Sequence, residues 1–226
     1  MNEKTKQLLK LIVIFLVYFI YTTVITSILN ICGITDEIIT VFIADLVFFL
    51  GIVILYKNNL KQGFITFVKE FSISKKILFV IKWVAILFAI NILGGIITEM
   101  IFPSLESDGN TTSIYSLASI STIYTIFKAL IFAPIAEELV FKKTIREIIN
   151  NNALFIVTSS LIYALINIMY TDISVLTIFD MISYFAFSAV LSHVYIKNKD
   201  NIVMPMLIKF SYNLIPLIIM LARMGA

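Results

Sequence analysis

The stretch FAPIAEELVFKK, residues 132–143, places two adjacent carboxylates, Glu137 and Glu138, inside an otherwise apolar run. Two lysines, Lys142 and Lys143, follow Glu138 after three apolar residues. An isolated charge near the middle of a bilayer costs at least about 2.5 kcal/mol. An ionisable side chain in such a run therefore predicts a functional site, unless a partner of opposite charge holds it.

The composition around this stretch is that of an integral membrane protein. Of the 226 residues, 60% are hydrophobic and 14% are charged, and the mean hydropathy is +1.02. Soluble domains have about 45–50% apolar and about 25% charged residues. The net charge of +3 is not arranged as a basic stripe with aromatics, so we expect no nucleic acid partner. The single cysteine, Cys32, excludes an internal disulfide.

Seven apolar runs are long enough to cross a bilayer, which takes about 20 residues per helix. They lie at about 9–31, 38–56, 77–102, 115–141, 153–171, 174–196 and 202–222. No internal repeat divides the chain, and the runs are too long for barrel strands. Only helices or closed barrels satisfy the backbone in lipid. The sequence therefore predicts one all-α integral membrane domain, residues 1–226, built as a bundle of about seven transmembrane helices.

The basic residues alternate with acidic ones along the predicted loops. Lysine and arginine precede the first run and follow the second, fourth and sixth: Lys4, Lys6, Lys10, Lys57, Lys61, Lys69, Lys75, Lys76, Lys142, Lys143, Arg146, Lys197 and Lys199. The charged residues of the other loops are all acidic: Asp36, Glu37, Glu106, Asp108 and Asp172. This positive-inside pattern predicts a multi-pass cell-membrane protein with a cytoplasmic N-terminus and an outside C-terminus. An eighth helix, from splitting 103–130, would break the alternation.

The segment 57–76, KNNLKQGFITFVKEFSISKK, is basic and partly apolar. We predict an ordinary basic loop that anchors the topology. The alternative is an amphipathic helix on the inner leaflet.

Several polar residues lie within the predicted spans, and each is a candidate for function. The ionisable ones are Asp45, Lys82, Lys128, Glu137, Glu138, Asp180, His193 and Lys209, and the amides are Asn91, Asn167 and Asn213. Lys82 lies near the inner end of its span, where its ammonium group can reach the interface. Lys128 is expected to form a structural ion pair with Asp45 or Asp180. His193, also near an inner end, is expected to be an interfacial residue.

The residue inventory disfavours several chemistries. A zinc site of the HExxH type needs two histidines, and the chain has one. No serine and acid are spaced to form a triad with His193. No GD dipeptide frames Asp45 or Asp180, which weakens the case for aspartic catalysis. We therefore predict no metal and no cofactor.

The acids in the opening stretch lie on different faces of a predicted helix. Glu138 and Lys142 are four residues apart, with the acid first, which is the favourable order for a helical ion pair. Glu137 is rotated by about 100° from Glu138 and points into the bundle. Pro134 lies one turn earlier and is expected to kink the helix. A kink beside an inward-pointing carboxylate predicts a small polar chamber.

Two further pairs are placed to line that chamber. Tyr163 and Asn167 are four residues apart on the fifth span, and Lys209 and Asn213 are four apart on the seventh. Each pair therefore shares one helix face.

These motifs resemble those of the CPBP family, also called the Abi family, of CAAX-type prenyl endopeptidases and bacteriocin-processing proteins. The first family motif is an EE pair, three residues and an arginine, after a proline, often with phenylalanine before the arginine. Pro134, Glu137, Glu138, Phe141 and Lys142 stand in those places.

The second and third family motifs have counterparts further along the chain. An aromatic residue, three residues and a histidine correspond to Tyr163 and Asn167. A histidine, three residues and an asparagine correspond to Lys209 and Asn213. The resemblance covers about residues 115–220 and implies an intramembrane protease core.

In active members, the resemblance implies, the first glutamate and first histidine activate a water, and the last histidine and asparagine stabilise the oxyanion. Glu137 would then be the general base and Asn213 an oxyanion donor. Both histidines are replaced, by Asn167 and Lys209, and the arginine by Lys142. An amide cannot exchange protons at neutral pH, so Asn167 cannot replace a histidine in proton transfer.

Two functions follow from this resemblance. The first is a catalytically impaired pseudoprotease that binds and regulates another membrane or cell-envelope protein, such as a sensor kinase, a wall enzyme or a peptide precursor. The alternative is an active glutamate-dependent endopeptidase for peptide or bacteriocin processing or self-immunity, with Asn167, Lys209 and Asn213 in altered roles. A small transporter lined by Lys128, Asp45 and Asp180 is disfavoured, because no repeat is present. The Ile-, Asn- and Lys-rich usage is typical of a low-GC bacterium.

Overall fold

The computed structural model describes residues 2–70, 72–101, 121–169, 171 and 174–224. Within these residues the chain forms helices and no strand, which confirms the all-α prediction. The α-helices are α1 (Glu3–Ile31), α2 (Glu37–Leu55), α3 (Lys57–Glu70), α4 (Ile73–Ile101), α5 (Thr122–Phe127), α6 (Asn152–Ile168), α7 (Val175–Lys197) and α8 (Val203–Met224). Two π-helical segments, Lys128–Glu137 and Leu139–Thr144, continue α5. We call the whole of residues 122–144 the motif helix.

Five of these helices, α1, α2, α4, α7 and α8, are long and apolar enough to cross a membrane. The other two predicted spans correspond to α6, an apolar helix of 17 residues, and to the motif helix. The described residues of all seven predicted spans therefore lie largely in helices. Residues 103–120, which hold most of the segment considered for an eighth helix, lie outside the described residues.

The outer faces of the bundle are apolar. On α1, Val13, Leu16 and Ile20 lie along one face, and each is at least half exposed. A soluble protein rarely exposes a contiguous apolar surface of this kind, whereas a bilayer solvates it. The exposed helix faces and the five long apolar helices define a multi-pass membrane protein.

An aromatic core packs α1 and α2 against the motif helix. Phe132 and Phe141 of the motif helix are fully buried. The ring of Tyr18 meets Phe141 edge-on at 5.2 Å and Phe48 at 5.5 Å. Such aromatic pairs contribute about 0.5–1.5 kcal/mol each beyond their buried area. The motif helix is therefore fixed within the bundle on this side.

The prediction of a basic loop at residues 57–76 is wrong, because residues 57–70 form the helix α3. Leu60 and Phe67 pack against the core, and Asn201 Nδ2 donates to the Gly63 carbonyl at 3.0 Å. These contacts stabilise a regular helix where charge alone suggested a loop. The placement of α3 on the inner leaflet stays a prediction.

We expect Gly63→Ala to destabilise the docking of α3. An added Cβ would lie 2.7 Å from Asn201 Oδ1 and 3.0 Å from Val203 Cγ2, so the Asn201 side chain must move. The cost of such overpacking is about 1–3 kcal/mol, measurable as a lower melting temperature in detergent.

Gly51→Ala is the matched control, since a Cβ there meets nothing within 4 Å. Alanine is the better helix former, so this variant should be as stable as the wild type or slightly more so. Equal melting temperatures for the two variants would contradict the docking described for α3.

Candidate functional site

The motif helix is wound as a π-helix where the proline lies. In a π-helix each carbonyl accepts from the N–H five residues later. Pro134 has no N–H, so the carbonyl of Ala129 loses that partner. Asn213 Nδ2, from α8, donates to the Ala129 carbonyl at 2.8 Å. The turn around Pro134 is therefore π-helical and tied to α8. The expected kink stays a prediction.

Glu138 and Lys142 form an ion pair inside the protein. Lys142 Nζ lies 2.8 Å from Glu138 Oε2, and neither residue is exposed. The contact is an ion pair by distance, although its angles lie outside hydrogen-bond geometry. A buried pair of this kind is strongly destabilised when one partner alone is removed.

Lys209 of α8 bridges both glutamates. Its Nζ donates to Glu137 Oε2 at 2.8 Å and to Glu138 Oε1 at 3.1 Å. The same Nζ lies 4.8 Å from the ring centre of Tyr163, and Lys142 Nζ lies 5.7 Å from it. Two lysines therefore neutralise two carboxylates against one aromatic ring, which supplies further cation–π attraction.

Five of the seven polar motif residues, which leave out Pro134 and Phe141, line one cavity of ≈ 390 Å³: Glu137, Tyr163, Asn167, Lys209 and Asn213. The other two, Glu138 and Lys142, are not among its lining residues and are buried beside it. The Glu137 side chain is 16% exposed, against 1% for Glu138. Of the two acids, Glu137 is the one that a bound molecule can reach.

Asn167 turns its amide back onto its own helix. Its Nδ2 donates to the Tyr163 carbonyl at 2.8 Å. Within the described residues, Asn167 forms no hydrogen bond with Glu137. The two positions that the family motif assigns to water activation are therefore not connected here.

Sequence reasoning missed several residues that line the same cavity. Among them are Thr98, Thr125, Ser183, Tyr184 and Tyr212. The α7 residues could have been found, because Asp180, Ser183, Tyr184 and Phe187 follow the spacing of one helix face. Asn91, a candidate from the sequence, donates to Tyr212 Oη at 2.6 Å.

Lys128 pairs with Asp45, one of its two expected partners. Lys128 Nζ lies 2.7 Å from Asp45 Oδ2, which Tyr124 Oη also contacts at 2.8 Å. Tyr21 donates to the other Asp45 oxygen. Asp45 is fully buried and does not line the cavity. This cluster joins α1 and α2 to the motif helix and leaves Asp45 no free oxygen for chemistry.

Lys82 and His193 lie away from the cavity. Both side chains are exposed, and neither lines the cavity wall. The His193 ring lies 5.8 Å from the ring of Trp83. Their expected roles at the membrane interface stay predictions.

Comparison with known proteins agrees with the motifs. The model of the family described as Type II CAAX prenyl endopeptidase Rce1-like matches residues 119–215. The match confirms the resemblance inferred from the three motifs, and it covers nearly the same region. No curated protein and no solved structure gives a match to the chain. The protein is a multi-pass membrane protein, and its residues 119–215 are similar to this family of CAAX prenyl endopeptidases.

We expect Lys142→Met to cost about 3–5 kcal/mol, because it leaves Glu138 buried with only Lys209 as a partner. Thermal unfolding in detergent measures the loss. The double variant Glu138→Leu/Lys142→Met removes both charges and should be more stable than Lys142→Met alone.

The control for this change is Lys143→Met. Lys143 pairs with Glu147 at 3.6 Å across the same sequence separation, but both side chains are partly exposed. Exposed pairs contribute at most about 1 kcal/mol. Equal losses for Lys142→Met and Lys143→Met would argue against the buried cluster.

We expect Asn213→Leu to destabilise the protein by about 1–3 kcal/mol, because the Ala129 carbonyl loses its donor within the bundle. Asn167→Leu is the matched control, since the Asn167 amide is exposed and bonds only its own helix among the described residues. Melting temperatures of the two variants distinguish the roles. A larger loss of stability for Asn167→Leu than for Asn213→Leu would contradict the role given to Asn213.

Proposed function

We propose that this protein is a catalytically impaired pseudoprotease that binds and regulates another membrane or cell-envelope protein. The observation that carries the proposal is the contact between Lys209 Nζ and Glu137 Oε2 at 2.8 Å. Lys209 occupies the motif position of a histidine and neutralises the carboxylate that the resemblance assigns as general base.

This contact opposes base catalysis. A general base must accept a proton from water, and Glu137 Oε2 already accepts a hydrogen bond from the Lys209 ammonium group at 2.8 Å. Asn167, at the other histidine position, cannot accept and return a proton. General acid–base groups contribute about 10²–10⁴-fold in rate each. The loss of both histidines therefore removes most of the expected rate enhancement.

The retained cavity supports a binding function. Its volume of ≈ 390 Å³ is in the range of known ligand pockets, about 300–1,000 Å³. Its polar groups are held by neighbouring helices, as Asn213 and Lys209 show. A preorganised cavity of this kind suits a segment of a partner, such as a peptide precursor or a loop of a membrane protein.

The alternative is an active glutamate-dependent endopeptidase, and one observation favours it. Glu137, Lys209 and Asn213 line the same cavity, so a carboxylate and two potential oxyanion donors face one space. In that function Lys209 and Asn213 would stabilise the oxyanion.

We expect wild type and Glu137→Gln to bind a partner equally and to show no difference in peptide cleavage. Tagged versions of both are purified from native membranes in mild detergent, and bound proteins are identified by mass spectrometry. Prenylated and unprenylated peptides are then incubated with each protein.

Glu37→Gln, an exposed acid at the start of α2, is the control for the loss of one carboxylate. A partner retained at near-equal stoichiometry by all three proteins supports the pseudoprotease. Cleavage that is absent from Glu137→Gln alone, or a peptide enriched only on Glu137→Gln, supports the endopeptidase and rules out the proposal.

A further inference from the structure

The charges around the cavity do not balance. Three lysines and four carboxylates line it or are joined to its lining residues by ion pairs, directly or through Glu138: Lys128, Lys142, Lys209, Asp45, Glu137, Glu138 and Asp180. Lys128 is matched by Asp45, and Lys142 and Lys209 by the two glutamates. Asp180 remains, so the formal net charge of the group is −1.

Asp180 has no cationic partner. All 17 lysines and arginines of the chain are among the described residues, and no ion pair or hydrogen bond to the Asp180 carboxylate is present there. Lys128, the alternative partner expected from the sequence, is turned to Asp45 instead. An unpaired carboxylate in a membrane-spanning helix is costly, and such residues usually serve a function.

Asp180, whose side chain is exposed, lines the cavity from the face of α7 opposite to two exposed isoleucines. Ile178 and Ile182 of α7 are both more than half exposed and lie one turn apart. Asp180 lies between them, rotated by about 200° from each, so it is on the opposite face. It lines the cavity together with Tyr184 and Phe187 of the same helix.

Aromatic rings also line the cavity that Asp180 lines. Phe187 and Tyr212 both line the cavity, with their ring centres 5.0 Å apart. Aromatic faces attract cations, and more strongly where water is excluded. A cavity lined by one unpaired carboxylate and by aromatic rings suits an organic cation better than Ca²⁺ or Mg²⁺, which take six or more oxygen ligands.

We propose that the cavity binds a cationic side chain, lysine or arginine, of an otherwise apolar peptide segment, through the Asp180 carboxylate. The apolar part of the segment packs against Leu87, Ile90 and Phe187, which also line the cavity. The cation restores neutrality to the group of charges. This inference rests on the proposed function in one respect, that a segment of the partner occupies the cavity.

The test uses the full-length protein in lipid nanodiscs. The probe is an acetylated and amidated apolar pentapeptide with one central lysine, and its matched control carries acetyl-lysine at that position. Binding is measured by equilibrium dialysis, with empty nanodiscs subtracted. The proteins are wild type, Asp180→Asn and the control Glu37→Gln, which removes an acid that does not line the cavity.

Wild type and Glu37→Gln should prefer the lysine peptide by about tenfold or more, as expected for a charge-assisted hydrogen bond. Asp180→Asn should bind both peptides equally. Equal binding of the two peptides to wild type, or a preference that survives in Asp180→Asn, overturns the inference.

A second measurement tests whether Asp180 is unpaired. Without peptide, Asp180→Asn should melt at or above the temperature of the wild type, because it removes an uncompensated charge and no contact. A lower melting temperature would show that Asp180 has a structural partner and would overturn the inference.

The same samples separate this inference from the proposed function. Mass spectrometry of the recovered peptide reports cleavage, whereas dialysis reports preference. Cleavage that depends on Glu137 refutes the pseudoprotease, while the preference for lysine still decides the role of Asp180. Absence of the preference from the wild type, without cleavage, refutes the role of Asp180 alone.

Discussion

The contact on which the rest of the site depends is the bridge from Lys209 to Glu137 and Glu138. Two adjacent carboxylates inside a membrane bundle would repel each other and lose their hydration. The ammonium group of Lys209 lies between them, and Lys142 compensates the deeper acid. Because the bridge joins α8 to the motif helix, the charge balance is also a tertiary contact.

The motif helix depends on side chains from other helices at two more points. Its Ala129 carbonyl, deprived of a partner by Pro134, accepts from Asn213 of α8. Its Lys128 reaches Asp45 of α2. These polar contacts fix the rotation of the irregular helix about its own axis, in addition to its aromatic packing against α1 and α2. The cavity lies among these contacts, and its shape follows from them.

Lysine in place of histidine at position 209 stabilises the two buried acids and opposes catalysis by Glu137. A histidine at position 209 could leave Glu137 free to work as a base, whereas Lys209 holds it in an ion pair. The bridge that makes the two acids tolerable in the membrane is the same feature that opposes catalysis. A binding function requires only that the cavity persist, and the ion pairs maintain it.

Local patterns were sufficient for a large part of the fold. The apolar runs predicted the helices, and the spacing of Glu138 and Lys142 predicted their pair, because helical neighbours are four residues apart. The helix α3 was only the alternative prediction for its segment, since its regularity depends on contacts of Gly63 and Leu60 with distant residues. The π-helical winding around Pro134 was missed for the same reason.

The sequence by itself determined the membrane class, the apolar helices that lie among the described residues and the residues of the three motifs, because hydrophobicity and helical spacing are local properties. Only the tertiary structure decided how the charges of different helices pair. Lys128 had two candidate partners and took Asp45, Lys209 bridged both glutamates, and Asp180 was left facing the cavity. Such choices depend on distances between helices that are far apart in the chain.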